Sequence, residues 1–595
     1  MCGIVGYIGA RQAKPILLNS LSHLEYRGYD SCGIAVLGAG LEVYKEAVRV
    51  QALERILPKN IDGKIGIGHT RWATHGEPSQ VNAHPHCDCT GKIAVVHNGV
   101  INNFQKLRQQ LTGEGHKFLS ETDTEVIPHL IEKYYDGDLE KAVAMALREV
   151  EGSYAIVVMV ADEPKLVVAR KDSPLIIGLG DRENFVASDV PAILDYTNRV
   201  VYLEDDDLGV ITPEDIKVSH GGRVVGREKH EISWSIEDAQ KGGYAHFMLK
   251  EIHEQPKVIR DTIGGYASVT EPIASLAMPG DTLLPDVLIL ACGTSYHAAL
   301  IGKHILGELL RVSVRTELAS EFNYSGPISS KSRAIVITQS GETADSLKAI
   351  KRLKEAGCQV IVITNVVGST ASRIADQVVY TRAGPEISVA ATKSFTAQLM
   401  ALYWLALPYA KVDIRRLDSL VMGLRQLPSK VQQVLDNEAV VAEYARQLSK
   451  YENVFFIGRG INFPVALEGA LKLKEISYLH AEGYAAGELK HGPFALLGSD
   501  TPVVAIFAQD NTYEAMLTNI KEVKARKSPV MALVEEGDET VQEVADSVIA
   551  LPQVDALFSP VVNTVALQLL AYHTAKERGC SIDFPRNLAK SVTVE

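Results

Sequence analysis

Cys2 stands beside the initiator methionine, and the residues after it, Gly3-Ile4-Val5-Gly6, are small or β-branched. A cysteine is small enough for Met1 to be trimmed, so the mature chain would carry a thiol and a free α-amine on one residue. That amine, with an ordinary pKa of about 7.7–8.0, can act as a base for its own thiol at neutral pH, directly or through a water. The thiolate is the attacking species. The pattern points to an N-terminal nucleophile that cleaves an amide. Met1-Cys2 taken alone fits a buried structural cysteine in a first strand better. A thiolate attacking a carboxamide needs donors for the oxyanion, and the Asn98 side chain with the Gly99 backbone N–H could supply them. An amino-acid substrate needs a cation for its carboxylate and an anion for its ammonium, and Arg71 and Asp123 have those charges. Each has a plainer reading, since Asn-Gly makes turns and Ser/Thr-Asp caps helices; together they fit one chemistry.

A second group of residues lies in the C-terminal half. The loop Thr338-Gln339-Ser340-Gly341-Glu342-Thr343 follows an apolar run and opens a helix, so its hydroxyls and free backbone N–H groups suit a phosphate. Thr294-Ser295 occupies the equivalent place after another apolar run. There is no G-x-G-x-x-G after these runs and no Walker lysine, which counts against a nucleotide. Glu468, Lys472 and Glu475 fall at i, i+4 and i+7 on one helical face, and Gly487-Glu488-Leu489-Lys490-His491-Gly492-Pro493 follows. The stripe alone reads as a salt-bridged surface. A carboxylate, a lysine and a histidine near a phosphosugar site are also what aldose–ketose chemistry requires, because moving a proton between adjacent carbons needs a tuned base.

Two kinds of scaffold must position these groups. In the first 240 residues, helical periodicity at 14–25, 103–111, 123–135 and 139–150 alternates with short strand-like runs at 65–69, 93–97, 154–160, 166–169, 175–179 and 185–188. This predicts antiparallel sheets with helices outside, a layered α+β domain. Charged and small residues from about 221 to 243 read as a linker. The remainder contains an internal repeat. Apolar β-branched runs at 286–291, 334–338 and 360–364 recur at 453–457, 503–507 and 530–534, each followed by a helical stretch. Such runs predict parallel sheets buried on both faces, in two doubly wound domains with ligands at the strand C-termini. The expected boundaries are 1–220, linker 221–243, 244–425, 426–580 and a tail at 581–595 without clear period.

Bulk properties narrow the field. At 595 residues the chain is too long for one core, and 46% hydrophobic with 22% charged residues describes a folded protein. A net charge of −13 argues against a nucleic-acid partner. No apolar run has the length of a membrane span and no signal peptide is visible. Seven cysteines, an odd number, suggest a reducing, cytoplasmic setting. The run His84-Pro85-His86-Cys87-Asp88-Cys89 packs four soft ligands into six residues, but Cys-x-Cys is not the usual chelating spacing, so it is read as a surface turn without metal.

The blocks Cys2-Gly3-Ile4-Val5-Gly6, Tyr26-Arg27-Gly28-Tyr29-Asp30-Ser31, His69–Gly76, His97-Asn98-Gly99 and Glu121–Glu125 resemble the class II glutamine amidotransferases, an αββα N-terminal-nucleophile hydrolase domain. The resemblance implies that Cys2 hydrolyses glutamine, that Arg71 and Asp123 hold it with Thr74 and His75 alongside, and that Trp72 gates the exit of ammonia. The segments Ala291–Tyr296, Gln339–Thr343, Glu468–Ser477, Ala486–Pro493 and Pro585–Glu595 resemble the tandem sugar isomerase domains of the isomerising glutamine–fructose-6-phosphate aminotransferases, which open hexosamine synthesis. By that resemblance Lys590 holds the open-chain sugar as a Schiff base. Glu475 carries the proton between C1 and C2, Lys472 assists, and His491 opens the ring from a neighbouring subunit, which implies a homodimer. Ser295, Thr338, Ser340 and Thr343 bind the phosphate, with Gln339 and Thr294 beside them. No metal or organic cofactor is implied, because a lysine activates the carbonyl. Ala391 stands where relatives often have serine, which bears on a sugar contact. Three other readings are a purine-pathway amidotransferase, a non-catalytic phosphosugar sensor and a deglycase-type isomerase. The tandem phosphosugar segments, the presence of Cys2, Glu475 and Lys590, and the intact N-terminal blocks count against them in turn.

Overall fold

The computed structural model describes residues 2–73, 75–232, 240–266, 287–329 and 333–592. The chain divides into two compact units, one of residues 1–239 with the tail from Ala589 onward, the other of residues 240–588.

Two antiparallel sheets face each other in the first unit. The eight-stranded sheet runs, neighbour to neighbour, Lys229–Glu231, Arg199–Tyr202, Ile176–Leu179, Asn184–Ala187, Gly3–Ile8, Ile65–Arg71, Ser31–Leu37 and Leu41–Glu46. The seven-stranded sheet runs Arg223–Val224, Ile216–His220, Asp207–Ile211, Glu163–Lys171, Gly152–Val160, Ile93–Ile101 and His86–Cys87. Period-two alternation builds both faces of the second sheet. Ala94 and Val96 meet Ile4, Ile67, Val157 and Leu166 between the sheets. Val95, Ile156 and Val158 turn the other way onto Leu107, Val126, Leu130 and Val143 of the helices Phe104–Gly113, Val126–Tyr134 and Leu139–Ala146. The helix Ala13–Ser22 covers the outer face of the first sheet, where Gly66 and Gly68 leave room for Leu17 and Leu21. The layers are therefore helix, sheet, sheet, helix, as the αββα expectation has it.

In the second unit each five-stranded sheet is wholly parallel. The first runs Val314–Leu318, Val287–Ala291, Arg333–Ile337, Gln359–Thr364 and Gln377–Tyr380; the second runs His480–Ala485, Asn453–Gly458, Val503–Ile506, Val530–Glu535 and Ser547–Leu551. Both have chain order 2-1-3-4-5, so the repeat read in the sequence is a repeat of topology. Their central strands are buried throughout because helices cover both faces. A shared core joins the copies through the helices Gly293–Leu310, Lys393–Ala406, Phe463–Ser477 and Ser559–Glu577.

Three expected boundaries shift. The supposed linker from 221 begins with strand: Arg223–Val224 and Lys229–Glu231 pair with His220 and Ser219 and with Arg199–Val201, because the polar residues there alternate along sheet edges. The border at 425/426 falls inside one continuous helix, Ile414–Asp436, whose apolar stripe of Leu420, Leu424, Leu427 and Val431 runs across it. The tail is also split, with residues 581–588 in the second unit and those from Ala589 in the first.

Candidate functional site

Cys2 immediately precedes the strand Gly3–Ile8, which pairs with Ile65–Arg71 in the register Gly3↔Thr70 and Ile4↔His69. That register brings Sγ to the chain just past Arg71. The Trp72 N–H donates to Sγ at 3.2 Å. Burial pushes the Cys2 thiol above its usual value, while the Trp72 N–H and the Arg71 cation pull it back.

Asn98 is oriented by a chain of hydrogen bonds. Burial holds the His69 ring neutral, its pKa lowered to about 3. Its Nε2 lies 3.0 Å from both the His97 carbonyl and Asn98 Oδ1, so the N–H is on Nε2 and donates there. With Oδ1 occupied, the amide turns Nδ2 toward Cys2, and Nδ2 donates to the Cys2 carbonyl at 2.8 Å. Gly99 follows at φ 132°, a left-handed conformation, and a Cβ there would stand 2.1 Å from the Ser153 carbonyl oxygen. Only glycine lets the backbone N–H take this course beside Asn98.

Two charges flank these groups. Arg71 is buried and reaches the carbonyls of His75, Gly76 and Glu77. Asp123 is buried and accepts the Ile101 N–H at 2.8 Å, which ties it to the strand that carries Asn98. His75 stacks edge-on against Phe104, and Trp72 edge-on against Tyr29. Thr74 lies outside the described residues. Asp30 accepts the Ala73 N–H at 2.9 Å, and His97 Nδ1 meets Thr124 Oγ at 2.8 Å. His69, Asp30 and Thr124 all sit in blocks prominent in the sequence, but their roles depend on strand register. The His84–Cys89 run is no surface turn. His84 and His86 are buried, His84 stacks on His69 at 4.1 Å, and only the far end, Cys89, is exposed. The strand pair His86↔Val95 draws the run inward.

The second unit gathers the other group. Thr294 and Ser295 open the helix after the first strand of their sheet, and Thr338–Thr343 follows the third strand. In the order 2-1-3-4-5 these two strands are neighbours whose connections leave in opposite directions, the switch point where open sheets bind ligands. Gly341 has φ 69° and donates its N–H to Thr338 Oγ; the Glu342 N–H donates to Ser340 Oγ. Gln339 is anchored by its carbonyl, which accepts the Asn365 N–H. Gln398 donates to Ser295 Oγ at 3.0 Å, a contact from 103 residues away that no local signal announces.

Two of the three stripe residues on helix Phe463–Ser477, Glu468 and Lys472, are buried. Lys472 lies 2.6 Å from Glu475 and 3.4 Å from Glu468, with Lys472 and Glu468 each only 1% exposed. Lys472 Nζ donates to Thr294 Oγ at 3.0 Å, and that hydroxyl donates to Glu468. The charged face of the second repeat's helix is thus hydrogen-bonded to the first repeat's Thr294 hydroxyl. His297, one turn beyond Thr294, meets Glu468 at 2.6 Å. It was readable only as the i+3 neighbour of Thr294. Burial alone would lower the Lys472 pKa, but Glu468 and Glu475 raise it to about 12. Burial alone would raise Glu468, but Lys472 and His297 hold it below the carboxylate range. The pair therefore stabilises the fold above the ordinary carboxylate pKa, losing this as pH falls. It likewise stabilises below the ordinary lysine value of about 10.4, losing this as pH rises through about 12. Lys472→Met should cost about 3–5 kcal/mol, because it leaves Glu468 buried without its cation. Denaturant unfolding checks this, with Glu468→Gln added to recover part of the loss; an unchanged midpoint in the single variant would remove the argument.

Glu475 is half-buried, and His491 is exposed at the end of the 3₁₀ turn Ala486–His491. Ala391 lies between the Val389-Ala390 pair and Thr392, whose N–H is held by Glu386. Lys590 is half-buried in the tail that groups with the first unit.

Comparison with known proteins gives a consistent picture. Residues 69–195 match the family model described as a glutamine amidotransferase domain, and residues 285–408 and 447–578 match that of the SIS domain. The chain is 51% identical to the glutamine–fructose-6-phosphate aminotransferase (isomerizing) of Methanosarcina acetivorans and 49% identical to that of Caldanaerobacter subterraneus subsp. tengcongensis, over the whole of both chains in each case. The C-terminal domain of glucosamine-fructose-6-phosphate aminotransferase from Francisella tularensis is 36% identical, covers 58% of this chain and all of its own, and superposes with a TM-score of 0.54.

Proposed function

From the premise that this chain belongs to the isomerising glutamine–fructose-6-phosphate aminotransferases, we propose how its residues divide the work. The protein is a glutamine-dependent amidotransferase and ketose–aldose isomerase that forms glucosamine 6-phosphate and glutamate from fructose 6-phosphate and glutamine.

In the glutamine half-reaction Sγ of Cys2 attacks the side-chain carbonyl carbon, and the thiol proton passes to the α-amine freed by loss of Met1. Asn98 Nδ2 and the Gly99 N–H receive the oxyanion. As the intermediate collapses, the amide nitrogen takes the stored proton from the α-amine and leaves as neutral ammonia, and water then cleaves the thioester to glutamate. Arg71 pairs with the substrate carboxylate and Asp123 with its ammonium; Thr74 and His75 line the pocket, and Trp72, bonded to Sγ through its N–H, couples occupancy to ammonia release. Ammonia travels inside the protein, because in water at neutral pH it would be mostly protonated and unable to attack.

In the sugar half-reaction the hydroxyls of Ser295, Thr338, Ser340 and Thr343 take the phosphate, with Gln339 and Thr294 beside them. Lys590 forms a Schiff base at C2, which ammonia displaces. Glu475 then removes a proton from C1 and returns it to C2, its carboxylate poised by Lys472 at 2.6 Å. The observation that supports this reading most is the Thr294 hydroxyl, bonded to both Lys472 and Glu468, since it links the charged helix of one repeat to the hydroxyl-bearing helix start of the other. We place ring opening with His491 acting across a homodimer. Mixing His491→Asn chains with Glu475→Gln chains should restore activity in hybrid dimers; no recovery would put His491 in its own subunit's site. With all cysteines free as thiols, we assign the protein to the cytoplasm, which cell fractionation tests. No helix among the described residues is long and apolar enough to cross a membrane.

Asn98→Ala should lower glutamine hydrolysis about 10²–10³-fold in kcat, the usual effect of removing one oxyanion donor, with little change in KM. A rise in KM alone would make Asn98 a binding group. The division of labour as a whole is tested by following both products: one glucosamine 6-phosphate per glutamate supports it, and glutamate without amino sugar would mean a different acceptor.

A further inference from the structure

Away from the glutamine pocket, four groups that favour metal ions converge. Cys89 follows the short strand His86–Cys87, His116 lies in the loop after helix Phe104–Gly113, and His129 and Glu132 are i and i+3 on helix Val126–Tyr134. Cys89 Sγ is 3.7 Å from Nδ1 of His116 and 3.5 Å from Nδ1 of His129. Glu132 Oε2 is 2.9 Å from the first ring and 3.5 Å from the second. All four atoms lie within 4.8 Å of one another. A tetrahedral zinc ion, with about 2.3 Å to sulfur and 2.0–2.2 Å to nitrogen or oxygen, sets its ligand atoms roughly 3.3–3.6 Å apart. The two His129 distances, 3.5 Å each, match that spacing, the Cys89–His116 distance of 3.7 Å is close to it, and the His116–Glu132 pair at 2.9 Å has to open slightly to admit an ion.

The surroundings suit an ion as well. The Lys117 N–H donates to Cys89 Sγ at 3.3 Å, which fixes the sulfur toward the two rings. His129 is buried, and its far nitrogen, Nε2, makes no hydrogen bond among the described residues but faces Glu125 Oε1 at 3.9 Å. A carboxylate behind a histidine is the arrangement that orients a metal ligand and raises its basicity.

We propose that Cys89, His116, His129 and Glu132 form a structural site for a divalent transition-metal ion, with zinc the best match to one thiolate, two imidazoles and one carboxylate. Four protein ligands close the coordination sphere, so the ion stabilises and does not open a position for substrate. Loading releases the Cys89 thiol proton to solvent, and each ring carries its own proton on Nε2 so that Nδ1 is free for the metal. The ion ties together three segments far apart in sequence. Through His129 it also steadies Glu125, whose carboxylate accepts the N–H groups of Leu119 and Ser120 and so frames the loop that carries Asp123. That last consequence rests on the role of Asp123 given above; metal binding itself does not.

The test uses the full-length protein and readouts separate from catalysis. Wild type passed over a chelating resin should retain one zinc per chain by elemental analysis. Cobalt(II) exchanged into the apoprotein should give a thiolate-to-metal charge-transfer band. Cys89→Ser should abolish the band, and His116→Gln should weaken metal binding beyond the roughly 10–100-fold that loss of an outer partner costs. Chelation should lower the thermal midpoint of wild type but not of Cys89→Ser. Folded wild type that retains no zinc and shows no cobalt band would overturn the proposal, as would an undiminished band in Cys89→Ser.

Discussion

Cys2→Ala protein is expected to make no glucosamine 6-phosphate from glutamine, and only slowly from ammonium salts, because little free ammonia exists in water at neutral pH. The substitution removes the sulfur that forms the thioester, and loss of a nucleophile that works as a unit with its base typically costs roughly 10⁴-fold or more. The fold should tolerate the change, because Sγ makes only peripheral contacts with the Trp72 backbone and the strand register is held by Gly3–Ile8. Parallel assays with each nitrogen source check it. Residual glutamine-dependent synthesis near wild type would mean that another group performs the attack.

Glu475→Gln should have the opposite signature, losing amino sugar from either nitrogen source while still releasing glutamate. Removing a general base costs about 10²–10⁴-fold. The amide keeps the shape of the carboxylate but cannot take the C1 proton, and it leaves Lys472 with Glu468 as its remaining anion. Exchange of the sugar C1 proton with deuterated solvent separates a chemical role from a structural one. The account expects exchange to vanish along with product. Wild-type exchange in the variant would transfer the base role elsewhere, Lys472 being the nearest alternative.

The tandem sheets were legible because strands buried on both faces need continuous apolar runs, and Val287–Ala291 and Val503–Ile506 have nothing else in them. The layered first domain was harder. Strands such as Leu41–Glu46 and Asp207–Ile211 are short and partly exposed, so their patterns are mixed. Motif residues could be named from their chemistry, but the partners that fix them could not. Asn98 is turned by His69, a neighbour created by the sheet stack; Ser295 is met by Gln398, and Glu468 by His297. Cys89, His116 and His129 stay scattered until turns and one helix bring them together, which is why the spacing of the His84–Cys89 run alone pointed away from metal.

The most direct measurement follows the nitrogen itself. Wild-type enzyme is supplied with glutamine labelled with ¹⁵N at the amide, in the presence of excess unlabelled ammonium, and the C2 nitrogen of the product is analysed by mass spectrometry. Undiluted label is expected in glucosamine 6-phosphate, because ammonia made at Cys2 reaches C2 without mixing with solvent. Label diluted to the composition of the medium would contradict coupled transfer and leave two independent activities on one chain.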